Sequence, residues 1–132
     1  MTSTHRLPSL VTLLNLDALT CASMGAALIG GANMIAGWTD IAAPFLFWTG
    51  VVLLPIAAFM AISARLKPVS AWAVNIVILG NLGWSIASIV LPAAGMISPN
   101  FVGWVLVIGQ AIIVAVVAFA EFSASRCAIA LA

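Results

Sequence analysis

Charge is what this sequence has least of. Its 132 residues include four lysines and arginines, three acids and a single histidine. A soluble domain carries roughly a quarter charged residues, against 5% here. So few charges cannot solvate the surface of a chain this size, and lipid is the expected solvent for most of it. The formal net charge of +1 leaves no basic patch for phosphates, which excludes nucleic acid as a partner. Cysteine is nearly as scarce. Cys21 and Cys127 form no CxxC pair and lie far apart, so both read as small apolar fillers rather than a redox couple. His5 has no second ligand at helical spacing, which argues against a metal or haem. The sequence offers no nucleophile–base pair and no phosphate loop either. No cofactor and no enzymatic activity is expected.

What the chain has in abundance is apolar sequence, 65% of its residues. Four apolar segments stand out, at about residues 10–35, 42–65, 69–92 and 100–124. Each reaches the ~20 residues that a helix needs to cross the hydrocarbon core. A backbone in lipid must pair internally, so helices are the expected form and alternating strands are absent. The first run is too long for a cleavable leader and reads as a retained span. The fold class is therefore all-α, a polytopic up-down bundle of four transmembrane helices in one domain. Pro8-Ser9, the Gly37–Pro44 stretch, Lys67-Pro68 and the Pro92–Asn100 turn mark the breaks. Pro55 falls inside the second segment, where it should kink the helix and free the Val51 carbonyl.

The few basic residues all fall on one side of such a bundle. Arg6 (beside His5), Arg65, Lys67 and Arg126 share it, while the opposite loops hold only Asp40. The positive-inside rule then places both termini in the cytoplasm, and the expected location is a bacterial inner membrane. Trp38, Trp48 and Trp104 belong near the outer interface and Trp72 near the inner one. A weak internal repeat also shows. The first and third segments end NMIAGW and GMISPN, and the second and fourth end FMAISAR and FAEFSASR. This suggests two like-oriented hairpins, although apolar hairpins also resemble one another by chance.

Polar residues inside the spans are the candidates for function. The third segment, from Asn75 to Pro92, carries two asparagines, Trp84 and two serines, and reads as the centre of the bundle. Asp17 is the costliest residue, because an acid at bilayer depth marks function or a buried pair. It reads as a proton- or cation-responsive group, as a polar anchor holding a neighbouring Asn, or as an interfacial acid. Asn81 and Gln110 lie halfway along their helices and are expected to bond each other. Asn75 and Asn15 sit closer to the inner face. Asp17, Asn75, Asn81 and Gln110 thus form the candidate intramembrane site. Glu121 reads as interfacial rather than as a transport acid and, with Arg65, Lys67 and Arg126, as part of a charged cytoplasmic rim. Ser85 and Ser88 are expected to bond back to their own helix. Ala22, Ala26 and Gly30, and Ser23, Ala27 and Gly31, form small-residue stripes that would let helices approach closely.

Asp17-Ala18 followed by Gly25, and Asn81-Leu82-Gly83-Trp84 followed by Ser88, resemble motifs of a loose group of small, mostly uncharacterised bacterial four-helix integral membrane proteins. In that group the Asn stands on the first helix and the Asp on the third, the reverse of this chain. An exchange is what a contacting pair would tolerate, so Asp17 and Asn81 are expected to meet. The resemblance implies a fold and no activity. Three roles follow as expectations: a non-catalytic membrane subunit or oligomeric bundle, a small-solute or proton-coupled transporter using Asp17, and a quinone- or lipid-handling protein. The expected partners are the lipid bilayer and a homo-oligomer or larger membrane complex.

Overall fold

The computed structural model of the protein describes residues 9–130. Among them are four helices and no strand: α1 (Leu10–Thr39), α2 (Ala43–Arg65), α3 (Ala71–Ala93) and α4 (Phe101–Ala130). All four are long and apolar enough to cross a membrane. His5 and Arg6 lie outside the described residues.

Local chemistry sets the ends. Ser9 caps α1, its hydroxyl oxygen accepting from the Thr12 N–H at 3.2 Å. α1 runs to Thr39, four residues beyond the expected boundary, and stops where Asp40 turns left-handed at φ 58° and its N–H reaches the Ala36 carbonyl. Pro44 lies in the first turn of α2, where a missing N–H costs nothing. Asn100 caps α4, its Oδ1 accepting from the Gly103 N–H at 2.9 Å. The same residue ties α4 to the end of α1. Its backbone N–H bonds the Thr39 carbonyl and its Nδ2 the Trp38 carbonyl, each at 2.9 Å. α4 meets no breaker after position 124 and continues to Ala130.

α1 packs most extensively on α2, α3 on α4, and α1 also on α4, whereas α2 and α3 barely touch. The contacts form a ring of four helices, so α3 is not a centre on which the others converge. At one end Leu14 and Ala18 of α1 join Met60 and Ala64 of α2 and Val74, Val77 and Ile78 of α3. Towards the other end Leu28 and Ala32 pack with Ile41, Leu46 and Leu53. α1 and α2 cross at two glycines, Gly25 just before Leu28 and Gly50 between Leu46 and Leu53 of that second cluster. A Cβ on Gly25 would come within 3.0 Å of the Gly50 carbonyl oxygen, and one on Gly50 within 2.7 Å of the Gly25 oxygen. The close-approach face of α1 is therefore Ala18, Gly25, Leu28 and Ala32. The small-residue stripes are not the face that α2 uses, since Ala26, Gly30, Ser23 and Ala27 are exposed in the single chain. Those residues lie one position or more off the buried face.

Candidate functional site

The buried stripe of α3 runs Val74, Val77, Ile78, Asn81 and Ser85, which places one amide on an apolar face pointing inward. Asn81 Nδ2 donates to Asp17 Oδ2 of α1 at 2.7 Å and to Glu121 Oε2 of α4 at 3.3 Å. Both acids are buried, Asp17 at 6% exposure and Glu121 at 0%. Glu121 Oε1 is buried without a hydrogen-bond partner. The Cys21 thiol, one turn along α1, stands 4.0 Å from Asp17 Oδ1. An amide nitrogen between two carboxyl groups thus joins three helices.

A second polar group extends the first along α3 and α4. Trp84 Nε1 donates to Gln110 Oε1 at 2.9 Å, and Gln110 Nε2 donates to Ser88 Oγ at 2.7 Å. The Ser85 hydroxyl bridges the Asn81 and Ala111 carbonyls at 3.0 Å each. Ser88 bonds back to the Trp84 carbonyl at 2.8 Å. The two serines do bond their own helix, but each also reaches α4.

Several expectations change. Glu121 does not belong to a charged rim with Arg65, Lys67 and Arg126. It is enclosed, whereas those three are exposed, and Arg126 lies over the Phe122 ring at 5.6 Å. The reason is the length of α4. With the helix extending to Ala130, Glu121 stands nine residues inside its end, about 14 Å at ~1.5 Å per residue. Asp17 and Asn81 stand about 10 and 15 Å inside the starts of α1 and α3 by the same rise, so the three share a level. The burial pattern of α4 agrees with that placement. Ala111, Ala118 and Ala124 mark the buried face of α4 at helical spacing, and Glu121 lies on it. Asn81 and Gln110 do not pair. They lie on successive layers, with Gln110 taken by Trp84 and Ser88. Asn75 is exposed and stands apart from the cluster. Six residues separate it from Asn81, and at 3.6 residues per turn that points it well away from the buried face. Asn15 is exposed too and bonds the Val11 carbonyl at 3.0 Å.

The cluster opens onto a cavity of about 490 Å³ to which all four helices contribute. Asp17, Asn81, Trp84 and Gln110 form its polar wall, and residues such as Leu53, Ile56, Phe59, Ile76 and Ile113 form the rest. Pro55 also lines it. The space lies between the α1–α2 and α3–α4 pairs, where α2 and α3 make few contacts with each other. Among the described residues no cluster of three side chains suited to a metal occurs.

Fold and site together define a class: an all-helical chain with four candidate membrane spans and an acid–amide–acid cluster on a largely apolar cavity. Compared with family models, curated proteins and solved structures, the chain finds no match.

Proposed function

We propose that this chain is a multi-pass protein of a bacterial cytoplasmic membrane, an up-down bundle with both termini cytoplasmic, that carries a small solute in exchange for a proton at Asp17 and Glu121. The bundle reading is supported by the contacts that pair the start of α1 with the end of α2, and the end of α1 with the start of α4. The orientation is supported by Arg65, Lys67 and Arg126 gathering at the end that holds the acids, away from Asp40. The closer packing of α1 with α2 and of α3 with α4 fits two hairpins.

One observation carries the functional part: two buried carboxyl groups share one amide at the edge of a cavity. Polar groups that only hold a bundle together are expected to satisfy one another. Here four carboxyl oxygens face the two protons of one amide, and Glu121 Oε1 is left over. A proton or a cation completes such a set, and a cavity beside it gives a solute access. The reading involves binding and exchange, and no catalytic step.

The protein has only three acidic side chains, Asp17, Asp40 and Glu121, which makes infrared difference spectroscopy direct. In phosphatidylcholine liposomes, corrected against protein-free ones, the carboxylic-acid carbonyl stretch of the wild type should be present at acid pH and vanish as pH is stepped to alkaline. Asp17→Asn and Glu121→Gln should each remove part of that signal. A cluster that keeps one protonation state over the whole range ends the exchange reading.

A further inference from the structure

The donors around the cavity are almost all engaged. Asn81 gives both amide protons to carboxyl oxygens, Trp84 gives its N–H to Gln110, and Thr20 gives its hydroxyl to the Leu16 carbonyl at 2.8 Å. No lysine or arginine lines the space. What remains on offer is acceptor capacity at the carboxyl pair of Asp17 and Glu121, which lie within hydrogen-bonding reach of each other, with the Cys21 thiol 4.0 Å from Asp17 Oδ1. Glu121 Oε1 has no donor partner. A cavity rich in acceptors and poor in donors repels anions and selects a ligand that brings its own N–H. Its remaining walls are aliphatic and aromatic, so the body of that ligand must be apolar. The volume of about 490 Å³ lies within the 300–1,000 Å³ typical of small-molecule sites.

We infer that the occupant of this cavity is an amphipathic amine, a compact apolar body whose single cationic N–H group lies against Asp17. The inference rests on the proposed solute-exchange reading and names the chemical class of the solute. The amine and the transported proton compete for the same oxygens. The titratable groups facing Asp17 are Cys21 on its own helix and Glu121 on α4, and the cavity walls from α2 and α3 present none. Lower pH therefore favours the proton over the amine at this site.

The full-length protein in phosphatidylcholine nanodiscs is titrated with 3-phenylpropylamine, with 3-phenylpropan-1-ol as the neutral match and 3-phenylpropanoate as the anion. Empty nanodiscs correct for partitioning. The amine should bind saturably and release a proton, with affinity falling about tenfold for each unit by which pH is lowered at strict one-for-one exchange. The alcohol should bind at least about tenfold more weakly, on the scale of one charge-assisted hydrogen bond, and the carboxylate not measurably. Asp17→Asn should abolish amine binding. Gly80→Leu is the second variant, because Gly80 lines the cavity and a Cβ there meets nothing within 4 Å. It should fold, keep the pH-dependent infrared signal, and lose at least about tenfold in amine affinity by filling the space. Asp40→Asn should bind as the wild type does. Wild-type amine affinity in Asp17→Asn or Gly80→Leu, or tighter binding of the alcohol or the carboxylate, overturns the inference. An intact infrared signal without amine binding removes the ligand class alone, whereas amine binding without proton release removes the exchange reading alone.

Discussion

Asn81 Nδ2 carries two protons, and each goes to a different acid. Asn81→Leu leaves both carboxyl groups buried without their donor. It should lower stability in detergent by about 1–3 kcal/mol, read as a fall in melting temperature. Glu121→Gln removes the acid with the orphaned oxygen. It should leave stability unchanged or raise it, by about 1 kcal/mol at most, read as an equal or higher melting temperature, while losing proton exchange. A residue that costs stability and supports function is expected to behave in this way. The exchange of Asp and Asn between helices gives a third test. Asp17→Asn and Asn81→Asp should each destabilise, and the double variant should recover only part of the loss. The α1–α3 bond is remade in the double variant, but Glu121 then faces an acid instead of an amide. A double-mutant cycle on thermal unfolding measures the coupling. At this scale the sequence was half legible. The meeting of Asp17 and Asn81 could be read from the exchanged motif, yet Glu121 could not be placed without the true end of α4. Trp84 drew notice as a polar residue, but its bond to Gln110 depends on the relative height of two helices, which no sequence pattern encodes.

At the scale of the helices, backbone approach decides the packing. Gly25 and Gly50 stand where α1 crosses α2, and a methyl group on Gly50 would press on the Gly25 carbonyl. Backbone cannot yield as a flexible side chain can. Gly50→Ala should therefore cost about 1–3 kcal/mol, and Gly50→Leu should prevent the hairpin from forming, seen as loss of the monodisperse peak in size-exclusion chromatography. Gly30→Ala is the contrast. A Cβ on Gly30 meets nothing within 4 Å, so that change should be neutral or stabilising by up to about 1 kcal/mol through helix propensity. The four apolar runs made the helices legible to within a few residues at most ends. The exceptions have physical causes. At α1 the sequence from Ala36 to Thr39 is polar enough to read as a break, but Asp40 in the left-handed region closes the helix. At α4 the charges at Glu121 and Arg126 read as an exit from the bilayer, whereas nothing there interrupts the helix. The choice among small-residue stripes was not legible, because glycines and alanines repeat on more than one face of α1 and only the crossing with α2 selects one.

At the scale of the whole chain, the two ends of the bundle differ. One end is tied by Asn100 to the last turn of α1, and Gly103 leaves room there because a Cβ would stand 2.6 Å from the Thr39 carbonyl oxygen. The other end holds the acids and the exposed cations. In a background carrying Cys21→Ala and Cys127→Ala, Lys67→Cys and Arg126→Cys should react with an impermeant maleimide from the same side of sealed vesicles, and Asp40→Cys from the opposite side. Labelling of Lys67→Cys and Arg126→Cys from different faces would undo the topology. The arrangement of the four helices was not legible, because apolar surfaces of similar composition do not say which pairs will touch. The separation of α2 from α3 has a consequence for how a solute arrives. Under the proposed exchange of a solute across a membrane, a slot between these helices would face the acyl chains, and the bilayer would be the reservoir from which the cavity fills. In a series of alkylamines lengthened one carbon at a time, apparent affinity should then climb with oil–water partitioning, by about 0.8 kcal/mol per methylene. That rise should continue after the chain has outgrown the walls that touch it.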